Sequence, residues 1–211
     1  MEKLSNTIQD ELQGNPALQK YIQDLVDTRI DAKLGDFRLE LQTIQQTLQQ
    51  IKIDTPKDRV SILISSYELD KLLPAFIIAT GAASFGMEVD LFFTLWGIIA
   101  LKDKTVYSGK TIPEMMLTMM LPDKPENSGV SRLNMGGMGA MMMKGMMKAE
   151  NVATLPELMN LATEMGVKMT ACQMTMGIMG IKQEELRTDI QYGGVATYIE
   201  TAAQAKITLF I

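Results

Sequence analysis

The feature that most constrains the fold is a strand–helix–strand pattern in the middle of the chain. A short β-branched run, Arg59 to Ile64, is followed by an apolar helical stretch from about Glu68 to Phe85, and Gly86 ends that stretch. A second strand-like run, Glu88 to Thr94, comes next. One helix between two strands within about 35 residues forms a βαβ unit, which requires a parallel sheet. We therefore predict an α/β domain.

The alternation of helices and strands resumes in the second half of the chain. The pattern predicts a helix from Leu155 to Met165 capped by Thr154, a strand from Val167 to Ala171, a short helix from Lys182 to Arg187, a helix that opens at Tyr192–Val195 and runs to about Gln204, and a last strand from Lys206 to Ile211. Four or five strands with intervening helices indicate a three-layer α/β domain over residues 57–211, with right-handed crossovers.

Residues 1–54 have a different composition, rich in Gln, Asp and Leu, and Asp54 to Asp58 is a linker. The break at Gly14–Pro16 separates a predicted short helix near residues 2–13 from a longer one between about Ala17 and Lys52. In the longer helix, apolar residues alternate in steps of four and three: Ile30, Leu34, Phe37, Leu41, Ile44, Leu48 and Ile51.

This heptad seam has Leu at a and mainly Ile at d, a choice associated with trimers and tetramers. We predict a coiled-coil oligomerisation segment and a homo-oligomer. An amphipathic helix that packs on its own domain has the same spacing and is the alternative.

Charge and composition limit the kinds of partner that this protein can bind. The 211 residues carry a net charge of −5 and contain no block of lysine or arginine, so a nucleic-acid surface is not supported. One cysteine cannot form a disulfide within its own chain, and the first residues show no signal-peptide pattern, so we expect a cytoplasmic protein. The longest uncharged run, Leu72 to Met87, is interrupted by Pro and Gly and is better interpreted as a core helix than as a membrane span.

Eleven of the 19 methionines lie between Met115 and Met147, within a predicted insertion over residues 113–149. Thioether side chains are flexible and polarizable, so residues 135–147 can cover a pocket, contact another chain or lie against a membrane as a peripheral contact. With Cys172 they also offer a Cu(I) site as a minor alternative. We otherwise expect no metal and no cofactor.

Cys172 is the only cysteine, and the chain contains no histidine. It follows an apolar strand and precedes a loop-like Gln-Met-Thr-Met-Gly, which places it at the carboxyl end of a strand, where open α/β sheets bind ligands. A buried, inert cysteine is an equally good interpretation of the residues alone. Without histidine, a Ser-His-Asp triad, a His-assisted cysteine hydrolase and the common zinc sites are excluded.

Five segments in order resemble the DsrE/DsrF-like sulfur-transfer family, in particular its soluble Met-rich branch often labelled peroxiredoxin-like. They are Arg59–Ile64, Phe92–Gly97, Met135–Gly139, Ala171–Met176 and Gly193–Tyr198. The resemblance covers residues 59–211 and implies a flavodoxin-like fold, an oligomer, and a cysteine that carries sulfane sulfur as a persulfide, or thiosulfate as an S-thiosulfonate. That role maps onto Cys172. Some relatives have a second cysteine nearby, and this chain does not.

Other residues near Cys172 are candidate substrate-binding residues. Gly193 and Gly194 lie where a helix begins, so their N–H groups can hold an anionic sulfur species, or they can simply permit a tight turn. Trp96 lines the same crevice or is a core aromatic residue. Met174 and Met176 shield the sulfur from water or pack in the ordinary way.

These observations predict a sulfur carrier or sulfurtransferase-like protein that takes sulfur onto Cys172 and passes it to a partner thiol. Its partners are then sulfur-donor and sulfur-acceptor proteins of the rhodanese or other sulfur-carrier type. A non-catalytic oligomeric adaptor with Cys172 buried is the first alternative. A thiol peroxidase is the second, although its expected cations are missing from the sequence around Cys172.

Overall fold

The computed structural model describes residues 15–54 and 57–211, and for residues 50–54 it describes the backbone alone. The chain divides into two compact units, Met1–Thr55 and Pro56–Ile211. The short helix predicted near residues 2–13 lies outside the described residues. No helix among those described is long and apolar enough to cross a membrane.

The first unit contains one long helix, α1 (Pro16–Asp54), of 39 residues. Asn15 caps its start, because the Asn15 side-chain oxygen accepts hydrogen bonds from the N–H groups of Ala17 at 3.2 Å and Leu18 at 3.3 Å. The apolar seam from Ile30 to Leu48 is exposed along its whole length, with each side chain between 43% and 59% exposed. The side chain of Ile51, the last predicted seam residue, is outside the described part of the chain.

The second unit is an α/β domain around a parallel sheet. In chain order its elements are β1 (Lys57–Ile64), α2 (Leu69–Ser84), β2 (Glu88–Phe93), a 3-10 helix (Leu95–Leu101), α3 (Ile112–Met120), α4 (Met138–Ala149), α5 (Leu155–Glu164), β3 (Lys168–Cys172), α6 (Gln173–Met179), β4 (Gln191–Gly193), α7 (Val195–Ala203) and β5 (Ala205–Phe210). The five strands lie in the order β4-β3-β2-β1-β5, and every pair is parallel. The predicted α/β fold is confirmed.

Helices cover both faces of the sheet. Alternate residues of a strand point to opposite faces, and Phe93 meets Phe76 of α2, with ring centroids 6.2 Å apart. Its neighbour Phe92 faces the other way and meets Tyr198 of α7 at 5.3 Å. Burial on the α2 side is nearly complete at Ile62 and Leu91, and each such side chain contributes about 1.5–3 kcal/mol of transfer free energy.

Two helices of the second unit, α3 and α5, begin directly after a threonine that caps the helix. Thr111 and Thr154 each form a capping box with a glutamate three residues later, which satisfies N–H groups that the helix itself leaves free. Pro follows in the first turn of both helices, where its missing N–H has no cost. The sequence pattern predicts a short helix from Ile112 to Met120 and another from Leu155 to Met165, and α3 and α5 agree with these bounds to within one residue.

Three local predictions were wrong. Lys182 to Arg187 forms only a short 3-10 turn, Gln183–Glu185, because Glu185 is drawn into a buried ion pair. Tyr192 to Val195 does not open a helix: Gln191–Gly193 is the edge strand β4, paired in register with β3, and the helix begins at Val195. Leu95 to Gly97, which the sequence pattern predicts as the loop that ends the second strand, is instead the start of a 3-10 helix.

The Met-rich insertion contains the two helices α3 and α4. Eight of its methionines are between 55% and 81% exposed: Met116, Met119, Met120, Met135, Met138, Met141, Met142 and Met146. Thioethers therefore form much of the surface of this insertion.

Candidate functional site at the carboxyl edge of the sheet

Cys172 is the last residue of β3 and the residue before the first turn of α6. Its strand neighbours end at the same edge: β2 ends just before Thr94, and Gly193 of β4 is the register partner of Cys172. The carboxyl edge of a parallel sheet is where α/β proteins bind ligands. Cys172 is buried, with 2% of its surface exposed.

Two threonine hydroxyls meet beside the sulfur. Thr94, after β2, and Thr175, in α6, have their Oγ1 atoms 3.1 Å apart. The Leu95 N–H donates to Thr175 Oγ1 at 3.0 Å. Because the Thr175 oxygen already accepts that bond, its own hydrogen is available to a sulfur or oxygen acceptor.

The pKa of the Cys172 thiol is lowered from its ordinary value by the balance of two opposing effects. Burial disfavours the thiolate and raises the pKa. Against it act hydrogen bonds to the sulfur from the N–H and the hydroxyl of Thr175, the hydroxyl of Thr94 and the N–H of Met174. Their combined effect exceeds that of burial, so the thiolate form of Cys172 is stabilised relative to that of an unperturbed thiol.

The segment that carries Thr94 is held in one position by backbone constraints. Leu95 adopts a left-handed conformation, with φ of 45°, which costs a non-glycine residue about 1–2 kcal/mol. Two residues later, a Cβ added to Gly97 would lie 2.2 Å from the carbonyl oxygen of Ile64 in β1. Only glycine permits this close approach to β1. The approach holds the Leu95 N–H in the position from which it donates a hydrogen bond to Thr175 Oγ1.

The predicted substrate-binding residues occupy different environments. Trp96 is 48% exposed, so it is not a core aromatic residue. Met176 is buried in the core, whereas the Met174 side chain is 62% exposed and contributes to the site through its backbone N–H.

The two glycines also differ. A Cβ on Gly193 would come within 3.1 Å of Thr170 and 3.2 Å of Thr197, so this position is tight. Gly194 is the N-terminal cap of α7 and has open space around it. Gly193 is therefore constrained by packing beside Cys172, and Gly194 leaves room at the start of a helix.

The sequence analysis did not identify Thr94 and Thr175, the two residues whose side-chain hydroxyls hydrogen-bond the sulfur. Thr94 carried a usable signal, because it is a polar residue at the carboxyl end of the strand next to the one that ends at Cys172. Thr175 lies three residues after Cys172, the spacing at which a helix N-cap interacts with its first turn. The signal at Thr94 also requires the strand order, which the sequence does not supply.

A buried ion pair supports the chain next to α6. Lys110 Nζ lies 2.8 Å from Glu185, and both side chains are almost fully buried. Glu185 also accepts hydrogen bonds from the N–H groups of Val106 at 3.0 Å and Lys182 at 2.9 Å. Burial raises the pKa of Glu185, but Lys110 and these N–H groups lower it by more than burial raises it. The pKa of Glu185 is therefore below its ordinary value.

Within residues 15–54 and 57–211, no group of three or more histidine, cysteine, aspartate or glutamate side chains is arranged to hold a metal ion. The chemistry that this edge of the sheet offers is that of one thiol whose anion is stabilised by hydrogen-bond donors.

The class of protein follows from a comparison with protein families. Residues 56–210 match the DsrE/DsrF/DrsH-like family. This chain therefore belongs to that family.

Two curated relatives and one solved structure are similar to this chain. An Allochromatium vinosum protein named Sulfur carrier protein DsrE2 is 35% identical over 155 residues, which cover 72% of this chain and 98% of the relative. A Bacillus subtilis protein, named Uncharacterized protein YrkE, is 43% identical over 154 residues, or 72% of this chain and 96% of its own length. Among solved structures, the ychN protein from E. coli matches 74% of this chain and 99% of its own, with 11% identity and a TM-score of 0.45.

Proposed function

We propose that this protein is a sulfur carrier that holds sulfane sulfur, or thiosulfate, on Cys172 and passes it to a thiol on a partner protein. The observation that carries the proposal is the position of the chain's single cysteine at the carboxyl edge of the sheet, where hydrogen-bond donors lower the pKa of its thiol. Membership of the DsrE/DsrF/DrsH-like family and the relative named as a sulfur carrier support a sulfur-transfer role.

Loading is a displacement at sulfur that needs no external oxidant. The Cys172 thiolate attacks the outer sulfur of a donor persulfide; the new Sγ–S bond forms while the donor S–S bond breaks, and the donor leaves as a thiolate with the electron pair. With tetrathionate, the same attack yields an S-thiosulfonate on Cys172 and releases thiosulfate. Unloading is the reverse type of displacement, in which an acceptor thiolate attacks the carried sulfur.

The hydrogen-bond donors around Cys172 suit both stages. They stabilise the free thiolate before loading, and they stabilise it again as the leaving group when sulfur departs to the acceptor. A persulfide also extends about 2.05 Å beyond Sγ, the length of an S–S bond. The outer sulfur of a loaded Cys172 thus lies further from the buried backbone than the free thiol does.

Mass spectrometry after incubation with polysulfide or tetrathionate tests this function. The native protein should gain one persulfide or one S-thiosulfonate on the peptide that contains Cys172, and excess dithiothreitol should remove it. Cys172→Ser is the matched control, since Ser preserves size but cannot form the S–S bond. Absence of the adduct from the native protein, or its presence on the Cys172→Ser variant, contradicts the proposal.

The helical unit, residues 15–54, has the role of joining copies of the chain into an oligomer. The exposed seam of α1, from Ile30 to Leu48, joins three or four copies of the chain as a coiled coil. A single long helix with an exposed apolar stripe gains little stability by itself in water, and pairing of seams buries that stripe. Sedimentation of the full chain and of a version without residues 1–54 tests the assignment, because an unchanged assembly size excludes it.

One observation favours a second candidate function, a non-catalytic adaptor. Cys172 is 2% exposed, and exposed apolar side chains occur on α1, α3 and α4, which suits a protein whose work is to bind other chains. Alkylation of the native protein separates the two candidates. A thiol that reacts only at the rate of global unfolding supports the adaptor, whereas reaction through faster local opening supports the carrier.

A further inference from the structure

The exposed apolar surface of the Met-rich insertion differs in chemistry from that of α1. In residues 113–149, nine large apolar side chains are exposed, and eight of them are methionines. α1 also exposes many apolar side chains, but these are Leu, Ile, Val, Phe and Tyr, and residues 16–54 contain no methionine. Leucine and isoleucine supply apolar area without sulfur, so the composition of the insertion points to a role for the thioether sulfur itself.

Three of the exposed methionines form a triad on α3. They are Met116, Met119 and Met120, and they are 61%, 75% and 81% exposed. Residues three and four positions apart on a helix share a face, with Cβ atoms about 5–6 Å apart, so Met119 and Met120 are both neighbours of Met116. Helical side chains also lean toward the start of the helix, which directs both toward Met116. Each side chain has three rotatable bonds, so the three sulfur atoms can reach one ion above this face.

The position of the triad on α3 favours a positive ion. Met116 to Met120 form the carboxyl-terminal half of this nine-residue helix, where the helix dipole is negative. The last turn, Leu117–Met120, contains only apolar and hydroxyl side chains. The negative end of the dipole is therefore not neutralised within that turn, and it attracts a cation.

A second set of methionines has the same spacing but the opposite electrostatic environment. Met138, Met141 and Met142 of α4 are 61%, 74% and 60% exposed. They lie in the amino-terminal half of α4, where the dipole is positive and the first turn contains no acidic residue. Since the sulfur atoms are equal in number and spacing, the dipole makes the triad on α3 the better cation site.

We propose that Met116, Met119 and Met120 bind one Cu(I) ion through their three thioether sulfurs. Thioethers are neutral, soft ligands that suit Cu(I), whereas Zn²⁺ takes thiolate, imidazole or carboxylate ligands and Ca²⁺ and Mg²⁺ take oxygen. The ion binds in the Cu(I) state, so no electron is transferred. The site uses none of the groups that surround Cys172 and is independent of sulfur transfer.

Competition with the coloured Cu(I) chelator bicinchoninate tests the proposal on the full-length chain. The parent protein carries Cys172→Ser, because a thiolate is itself a strong ligand for Cu(I). Anaerobic buffer with ascorbate keeps the copper reduced. The parent should withdraw one equivalent of Cu(I) from the chelator, and an excess of Zn²⁺ should not return that copper to the chelator.

Leucine substitutions connect the binding to the triad on α3. Replacing Met116, Met119 and Met120 together by Leu should abolish it, because leucine keeps the apolar volume and removes the sulfur. Met119→Leu alone should weaken binding at least about tenfold, since even the outer partners of metal ligands contribute about 10–100-fold to affinity.

The matched control is the triple leucine variant at Met138, Met141 and Met142, which removes three thioethers of the same spacing from α4. It should bind Cu(I) like the parent. All six side chains are exposed, so the urea midpoint of each variant should stay close to that of the parent, and lost binding cannot then be attributed to unfolding.

Nuclear magnetic resonance of isotope-labelled methionine methyl groups identifies the ligands directly. Ag(I) serves as a soft cation of the same charge. Of the 19 methionines, Met116, Met119 and Met120 should show the large shifts, with their signals assigned through the single leucine variants.

Three results overturn the proposal. The parent withdraws no copper from the chelator; the triple variant on α3 binds like the parent, which leaves that face as an apolar contact surface; or the triple variant on α4 loses as much binding as the one on α3. Because Cys172 is absent from every protein in this series, none of these outcomes depends on whether the chain carries sulfur.

Discussion

The contribution of Thr94 to the Cys172 thiolate can be measured directly. In a Thr94→Val variant the side chain keeps nearly the same shape but loses the hydroxyl that donates to the sulfur and lies 3.1 Å from Thr175 Oγ1. Burial continues to disfavour the thiolate while one of four donors is removed. The pKa of Cys172 must therefore rise.

The magnitude follows from the energy of a hydrogen bond to a charged group. Such a bond contributes about 1.5–3 kcal/mol in a protein, and one pKa unit corresponds to about 1.36 kcal/mol. Because Thr94 is partly buried and shares the sulfur with three other donors, we expect the lower end, a rise of about one unit. The thiolate fraction below the pKa then falls about tenfold, and the rate of loading with polysulfide falls with it.

Thiolate ultraviolet absorbance, followed against pH, is the assay. Cys172 is the only thiol, so subtracting the curve of Cys172→Ser removes the tyrosine background and leaves one titration. Thr94→Ser retains the hydroxyl and is the matched control, with a curve close to the wild type. If Thr94→Val titrates at the same pH as Thr94→Ser, or lower, then the hydroxyl does not stabilise the sulfur anion and the reasoning is refuted.

The same shift affects the pH dependence of folding. The folded pKa of Cys172 is lowered from its ordinary value of 9.0, so the unfolded state binds more protons between the folded and the unfolded pKa. The stabilisation is complete above the unfolded pKa and is lost as the pH falls through the folded pKa. The free energy of unfolding of the wild type minus that of Cys172→Ser should rise with pH through this window, and a flat difference would contradict the lowered pKa.

Three further predictions concern the scaffold. Glu185→Gln leaves Lys110 buried without its counter-charge and should cost about 3–5 kcal/mol of unfolding free energy. Because the pKa of Glu185 is lowered, the greater stability of the wild type should disappear as the pH falls through that pKa; urea titrations at several pH values measure this, and a difference that persists at low pH contradicts the prediction. Gly97→Ala places a Cβ against the Ile64 carbonyl and should cost about 3 kcal/mol, whereas Gly81→Ala, within α2 and with open space, should stabilise by about 0.5–1 kcal/mol; equal effects in thermal unfolding would refute the packing argument. Leu41→Gln at the centre of the seam should reduce the assembly size in sedimentation, and an unaltered size would remove the coiled coil.

The periodicity of the sequence was sufficient for the framework of the domain. β1, α2 and β2 were predictable because a β-branched run, an apolar helix and a glycine stop are strong local signals. The starts of α3 and α5 were equally local, since the threonine–proline–glutamate pattern at each satisfies the first N–H groups of the helix.

The site was predictable only at Cys172. Its partners Thr94 and Thr175 are separated by 81 residues, and they meet because β2 and β3 are neighbours in the sheet. β4 was missed for a related reason: three residues containing a glycine carry too little pattern, and the pairing of Gly193 with Cys172 is what makes them a strand. The Glu185 ion pair likewise depends on a lysine 75 residues away.

The pairing of β1 with β5 determines when this domain can complete its sheet during synthesis. The Ser65 N–H, just after β1, donates to the carbonyl oxygen of Ile211, just after β5, across 146 residues, and the Ile211 N–H donates to the carbonyl oxygen of Leu63. At about 5–20 residues per second, a ribosome needs roughly 7–30 s to produce that interval. Throughout it, one edge of β1 has no partner, and an unpaired apolar edge is a template for aggregation. The nascent chain must therefore be protected over this interval, and folding can finish only after β5 has left the exit tunnel.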